Sequence, residues 1–482
     1  MTAHASEKLL LIHPLGYPSH AAPHDIARLA NILPPLGLAG IAAYIEAHGI
    51  DVDIIDCFAC PQDSDQLIRD YAREVRPRFA GITATTSAFP DAIRLLDIIK
   101  SESPATSTVL GGPHVSALRE QVIEQNPVVD FVVAGEGEQA LLELIQNGGD
   151  AAGIEGVVYR NQHGEAVFNG VRRNLLDLDS LPFPAYEKLD GFPRRYTLPI
   201  FNYPRTPNTS CVSSRGCPYQ CSYCDRSVFR RTFRFNSAEY LYEHMQYLRE
   251  RWGIRHVNFY DDQFTFDRGR IEALCRRMID EPLGMTYNCA VRAEHIDLEL
   301  LKLMKAAGCW MVSLGVETGD PHLLAQHRQN VDLNLLAERI HDMKTAGLRV
   351  KALLMMGLPG ETEESVRRSM DYVFSLPIDD FNLSKFTPFP GAPLYEKIHE
   401  YGTFEEDYKR MDCMHFQFVP EGFTRERLDE LYQRYYRSHF KRPKVLWGYL
   451  TMAWKSPDSY RRFFLNLADF LKFARSDKRM TD

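Results

Sequence analysis

The run Arg215-Gly216-Cys217-Pro218-Tyr219-Gln220-Cys221-Ser222-Tyr223-Cys224 places three cysteines at a CxxxCxxC spacing. Three thiolates on one short loop can hold three irons of a 4Fe–4S cube, whose full ligation takes four. The fourth iron is then open to a substrate or a cofactor. The alternative is a zinc knuckle with Cys211 as fourth ligand. Structural zinc favours paired CxxC or HxxxH blocks, and none flanks this loop at a suitable spacing. Cys57 and Cys60 form a separate CxxC that would suit a redox pair, although unpaired cysteines also serve as small buried hydrophobes. Cys275, Cys289, Cys309 and Cys413 are scattered and suggest no second cluster.

The cysteine loop needs strands and helices to hold it. A length of 482 residues points to about three domains. Up to residue 150, short apolar runs alternate with helical patterns, the rhythm of a doubly wound, Rossmann-like parallel sheet. Strands are expected at Lys8–His13, Val52–Ile55, Phe79–Thr83, Thr108–Leu110 and Val128–Ala134. Helices are expected near Leu36–His48, Gln66–Val75, Ala92–Ser101, Ala117–Gln125 and Ala140–Gln146. Ligands of such sheets sit at the carboxyl ends of the strands. Those ends carry Pro35 and Leu36, then Thr83, Thr85 and Ser87, then Gly111 and Gly112, and last Gly135, Glu136 and Gly137. No GxGxxG follows the first strand, so a dinucleotide is not expected.

Residues 151–207 read as a connector, with a small hairpin at Gly156–Phe168 and a Pro-rich linker. From 208 to 400 a second βα series follows. Its strands are expected at Thr209–Val212, His256–Tyr260, Thr286–Cys289, Met311–Gly315, Lys351–Met355 and Phe381–Ser384. Six such units with the cysteines after the first strand imply an open (β/α)6 partial barrel, with its chemistry at the strands' C-terminal ends. Residues 401–482 read as helical and basic.

Several motifs recur at those strand ends: Phe259-Tyr260-Asp261-Asp262-Gln263-Phe264-Thr265, Leu314-Gly315-Val316-Glu317-Thr318-Gly319, Met356-Gly357-Leu358-Pro359-Gly360-Glu361 and Pro388-Phe389-Pro390-Gly391-Ala392-Pro393-Leu394-Tyr395. With the cysteines, PPLGL (34–38), LGGPH (110–114) and GEGE (135–138), this ordered set resembles radical S-adenosylmethionine (SAM) enzymes with an N-terminal cobalamin-binding domain. It is most similar to the branch containing the anaerobic magnesium-protoporphyrin monomethyl ester cyclase and many methylases. The resemblance covers roughly residues 8–400.

The resemblance implies three cofactors: a 4Fe–4S cluster on Cys217, Cys221 and Cys224, SAM at the open iron, and cobalamin against the open face of the barrel. It implies that Tyr223 packs near the adenine and that Gly315, Glu317 and Arg292 stand near SAM. Glu317 could equally be a solvated helix-entry carboxylate, and Arg292 a structural ion pair. Asp261 and Asp262 are substrate-side candidates, one of which could instead cap the next segment. The cobalamin side would use the strand-end residues Pro35 to Gly137 named above. Many cobalamin proteins ligate cobalt through an Asp-x-His-x-x-Gly motif after the first strand. Here Leu11-Ile12-His13-Pro14-Leu15-Gly16 lacks the carboxylate that would orient the imidazole. No protein histidine on cobalt is therefore expected.

The expected activity is methylation of an unactivated carbon of a small or lipophilic substrate by radical hydrogen abstraction. Oxidative cyclisation or another C–C bond formation with the same cofactors is the runner-up. A non-catalytic cobalamin sensor is a third reading, disfavoured because a sensor needs no reducible cluster. A flavodoxin- or ferredoxin-type one-electron donor is implied as partner. A net charge of −8 argues against a nucleic-acid partner. The absence of an apolar signal core and of a regular disulfide framework leads us to expect a cytoplasmic protein. The stretch from Arg437 to Asp482 is different, with eleven Lys and Arg against four acidic residues. Its apolar decad Val445–Trp454, too short to span a bilayer, lies between cationic flanks. Such a segment is either a helical cap on the barrel or an interfacial helix on the inner face of a membrane.

Overall fold

The computed structural model describes residues 6–16, 32–328 and 330–468. Seven strands build the first sheet: β1 (Ser6–His13), β2 (Val52–Asp56), β3 (Pro77–Thr83), β4 (Ser107–Gly111), β5 (Phe131–Val133), β6 (Val157–Arg160) and β7 (Ala166–Phe168), in the order β2-β1-β3-β4-β5-β6-β7. The first five pair in parallel, and β6 and β7 add antiparallel at the edge. The hairpin that the sequence reading assigns to the connector therefore continues this sheet. Successive residues of β1 serve opposite faces, as a pleated strand requires. Leu10 and Ile12 join a core with the helices Ser64–Glu74 and Phe89–Glu102, while Leu9 and Leu11 join one with Leu36–Glu46 and Gly137–Gln146. The helix expected at Ala117–Gln125 is two short helices, Pro113–Leu118 and Glu120–Gln125, broken at Arg119, whose φ is 48°.

The second sheet has six parallel strands: β8 (Asn208–Cys211), β11 (His256–Phe259), β12 (Thr286–Val291), β13 (Cys309–Glu317), β14 (Arg349–Met356) and β15 (Asp380–Lys385). Their order is β15-β14-β13-β12-β11-β8, so the curl stays open between β8 and β15. A two-stranded ribbon, β9 (Ser214–Arg215) and β10 (Arg234–Phe235), brackets the cysteine loop. The helices around this sheet start on side-chain caps, Ser237, Asp267, Asp297, Asp332 and Thr362, each accepting from a backbone N–H two or three residues into the helix. Each cap is worth ~1 kcal/mol and fixes where the strand-end loop stops. The Pro-rich connector is not a free linker, since Tyr186, Phe192 and Tyr196 are buried in the barrel's core.

After a small ribbon, β16 (Gly402–Phe404) and β17 (Phe418–Pro420), the chain ends in helices Arg425–Phe440, Pro443–Lys455 and Pro457–Leu465. Among the described residues no helix is long and apolar enough to cross a membrane.

Candidate functional site

The cysteine loop leaves β8 and returns through the β9–β10 ribbon. Gly216 opens it at φ 87°, where a Cβ would come within 2.2 Å of the Thr232 carbonyl oxygen, so only glycine fits. The three thiols carry no disulfide. Burial raises the Cys217 thiol and pushes Cys224 up to about 12, with Cys221, Asp262 and Cys217 adding to the rise at Cys224. Cys217 and Cys224 thus stand in partly dry surroundings, where a bound cationic group would replace their protons. Among the described residues no three His, Cys, Asp or Glu side chains converge on a position for a single ion. Cys211, the fourth ligand a zinc knuckle would need, is buried in β8 against the Tyr186 hydroxyl.

The loop is clamped from behind. The Ser222 N–H donates to the His327 carbonyl at 3.1 Å, the Ser222 hydroxyl meets His327 Nδ1 at 2.8 Å, and His327 Nε2 meets the Pro359 carbonyl at 2.8 Å. The Leu394 N–H donates to the Ser222 carbonyl at 3.1 Å. Anchors thus come from beyond β13, β14 and β15, so the strand-end motifs of the second sheet also act as the loop's scaffold.

Glu317 ends β13 at φ 65°, just after a register break between Gly315 and Glu317 opposite β14. A non-glycine residue held there is strained, a cost the surrounding contacts must sustain. Burial raises its carboxyl above the ordinary range, while Arg328, 3.6 Å away, and a hydrogen bond from the Tyr223 hydroxyl oppose the rise. Arg328 is itself buried and donates to the Gly315 carbonyl; no motif in the sequence singles it out. Arg292 follows β12. Its guanidinium stands 3.8 Å over the Tyr219 ring, 3.8 Å from Cys221 Sγ, and pairs with Glu294. The structural ion pair and the place beside the cysteines are therefore both real.

The paired aspartates part company. Asp261 does not face the cavity: its Oδ1 accepts from the Ser213 N–H and hydroxyl, both at 2.9 Å, and from the Ser214 hydroxyl at 2.5 Å. That carboxylate ties β11 to the root of the cysteine loop, which corrects its expected substrate-side place. Asp262 lines the cavity and keeps that expectation.

This cavity, about 500 Å³, lies between the strand ends of the first sheet and the cysteine-loop side of the second. Pro35 and Leu36, Thr83 and Thr85, and glycines Gly111 and Gly112 line it, as do Gly135, Glu136 and Gly137. Ser87 does not, because it lies in the turn that closes from Thr85 to Ala88 and opens the next helix. Gly112 has φ 101°, and a Cβ would lie 2.8 Å from the Ala84 carbonyl oxygen. A wall of glycine backbone, aliphatic side chains and a few hydroxyls fits a large flat ligand with a polar periphery, and these residues fit a corrin.

Both oxygens of Glu136 are taken: Oε2 accepts from Arg215 at 2.5 Å and Oε1 from Arg234, while Arg215 also pairs with Glu138 at 2.6 Å. Glu136 is thus first an ionic link from the first domain to the root of the cysteine loop. The opposite wall comes from the connector and second domain, including Leu181, Pro184, Val212, Phe229 and Tyr240. Sequence reasoning missed it; the Pro-rich run was the available signal. His13 also lines the cavity, and its Nδ1 meets Asp56 Oδ1 at 2.9 Å.

Residues 211–373 match the radical SAM superfamily and residues 25–145 the B12 binding domain. An uncharacterized methyltransferase of Pyrococcus horikoshii is 30% identical over 450 residues, covering 91% of this chain and 94% of that protein. The anaerobic magnesium-protoporphyrin IX monomethyl ester cyclase of Rubrivivax gelatinosus is 28% identical, covering 89% and 77%. Among solved structures, the radical SAM methyltransferase TsrM of Kitasatospora setae, with cobalamin and a 4Fe–4S cluster bound, superimposes with a TM-score of 0.66 at 21% identity. That match covers 82% of this chain and 75% of TsrM.

Proposed function

Because this chain belongs to the radical SAM superfamily and carries a B12-binding domain ahead of its radical SAM domain, we propose that it methylates an unactivated carbon of a small or lipophilic substrate. It is an enzyme whose cofactors are a 4Fe–4S cluster, SAM and cobalamin. When bound, the cluster and SAM supply a 5′-deoxyadenosyl radical for hydrogen abstraction, and cobalamin supplies a methyl group to be passed to carbon. Cys217, Cys221 and Cys224 would hold three of the cluster's irons. Tyr223, Glu317 and Arg292 orient SAM, with Gly315 leaving room for it. Pro35 to Gly137 line the corrin bed, while the connector closes the cavity against water. Asp262 stands at the substrate side.

The observation that carries this reading is a shared wall. Ser214 and Arg215, just before the first cysteine, and Val228 and Phe229, just after the last, line the same cavity as the first sheet's strand ends. The segments that flank the cysteines on both sides thus form part of the wall of the proposed corrin bed, which supports the two cofactors being neighbours. The test is product analysis with anaerobically reconstituted protein, SAM, a reductant of flavodoxin or ferredoxin type, and a small-molecule and lipid extract. Methylation predicts S-adenosylhomocysteine and 5′-deoxyadenosine together, with a product heavier by one methylene. The similarity to the Rubrivivax cyclase favours a second reading, oxidative cyclisation, which predicts 5′-deoxyadenosine without S-adenosylhomocysteine.

The C-terminal region supports a peripheral membrane contact. One face of the helix Pro443–Lys455 covers the barrel: Val445 and Met452 are buried, and the Tyr449 hydroxyl donates to Asp380 at 3.0 Å. The other face leaves Leu446, Trp447, Leu450 and Trp454 exposed, with Lys441, Lys444 and Lys455 at its ends. Cap and interfacial helix would then be two faces of one element.

A further inference from the structure

His13 is the last residue of β1, and the register of the first sheet sets Asp56, the last residue of β2, directly beside it. Asp56 is buried, and its carboxylate is fully engaged. Oδ1 meets His13 Nδ1 at 2.9 Å and accepts from the Phe58 N–H at 3.0 Å, and Oδ2 accepts from the Tyr196 hydroxyl at 2.9 Å. The Phe58 ring stacks on the imidazole, with centroids 5.0 Å apart and planes 25° from parallel. The imidazole is thus held by a hydrogen bond at one nitrogen and by an aromatic face.

A carboxylate only accepts hydrogen bonds, so Nδ1 is the donor of this pair, and in the neutral ring the lone pair then lies on Nε2. Nε2 has no hydrogen-bond partner among the described residues, and His13 lines the cavity. A histidine whose other nitrogen donates to a hydrogen-bonded carboxylate is fixed in the tautomer, and given the basicity, that metal ligation uses. With the cavity read as the cobalamin bed, as proposed above, the geometry points to His13 Nε2 as the protein's axial ligand to cobalt, with Asp56 and Tyr196 as positioning residues. The carboxylate absent from position 11, where Leu11 stands, is supplied across the sheet by the neighbouring strand.

Among the described residues, His244 is the other histidine lining the cavity; its Nε2 lies 3.1 Å from the Tyr186 hydroxyl and its ring stacks on Phe183. The experiment uses the full-length protein loaded with cobalamin, with corrinoid content read by absorbance and the cobalt(II) form by EPR. Protein is made with natural histidine and with histidine carrying the heavy nitrogen isotope, of nuclear spin one half. Axial His13 predicts triplet superhyperfine splitting that becomes a doublet in the labelled protein. The nitrogen splitting disappears in His13→Ala or His13→Gln and persists in His244→Phe. A triplet unmoved by labelling would assign the ligand to the cofactor's own benzimidazole and overturn the proposal. Retained corrinoid with no nitrogen splitting would also overturn it, while leaving the cavity reading intact. Protein that retains no corrinoid would overturn both.

Discussion

At the strand ends of the first sheet the cavity is walled by Pro35, Leu36, threonine hydroxyls and the glycines from Gly111 to Gly137, with Asp262 across from them; the cysteine loop of the second domain instead gathers charge, with Arg292 3.8 Å from Cys221 Sγ and Glu317 accepting from the Tyr223 hydroxyl. One bed recognises by shape, spreading its binding over many weak contacts of backbone and aliphatic surface. The other, as proposed, would recognise by ligation and charge, through a few directional bonds. Single substitutions should therefore act very unequally on the two regions.

The sharpest break is Cys221→Ser. One lost thiolate leaves the cube two protein ligands, so iron content should collapse and 5′-deoxyadenosine formation should cease. Corrinoid content should stay near one per chain, because its bed lies on the other sheet. Iron and sulfide assays with absorbance of the corrinoid read both in one sample. A parallel loss of corrinoid would show that the two beds are not independent.

Next in size is the ionic seam that joins them. Arg215→Met leaves Glu138 without its arginine and Glu136 with only Arg234, all at largely buried positions. Removing one partner of a buried pair costs ~3–5 kcal/mol, read as a lowered denaturant midpoint.

The contrast between the two beds also explains what could be read from the sequence. The cysteine loop stands out in the sequence because its pattern is local: three cysteines within eight residues and a strand before them. The six strands of the barrel were legible because each is an apolar run bounded by turn residues. Pairings across the fold were not. Asp56 beside His13 depends on strand order, and Arg215 with Glu136 on how the two domains meet. Asp261 looked like its neighbour Asp262 in sequence and differs only because three donors from the root of the cysteine loop turn it inward. The split at Arg119 went unseen because a residue of ordinary helix propensity sits at the break.

Within the ligating bed, Glu317 tests how far charge matters beyond the cysteines. Glu317→Gln keeps shape and removes the negative charge near Tyr223 and Arg328. Loss of one charge-assisted hydrogen bond, ~1.5 kcal/mol, predicts about a tenfold rise in KM for SAM. Iron content should be unchanged. An unaltered KM would return Glu317 to a purely structural role in bending the end of β13.

The smallest effect on the folded enzyme is expected farthest from the cavity, where the same helix has a packed face and a bare one. Removing the C-terminal region is a poor test, because Val445, Tyr449 and Met452 cover the barrel and their loss would unsettle it. Trp447 and Trp454, 64% and 67% exposed, can be changed with little strain. The triple variant Trp447→Ser, Leu450→Ser, Trp454→Ser should hold its thermal midpoint, since exposed substitutions usually stay within ~0.5 kcal/mol each. Wild-type protein should co-sediment with vesicles containing anionic lipid and release as salt screens the flanking lysines. The variant should lose most of that binding while keeping iron and corrinoid. Equal sedimentation of the two proteins would reduce the helix to a cap.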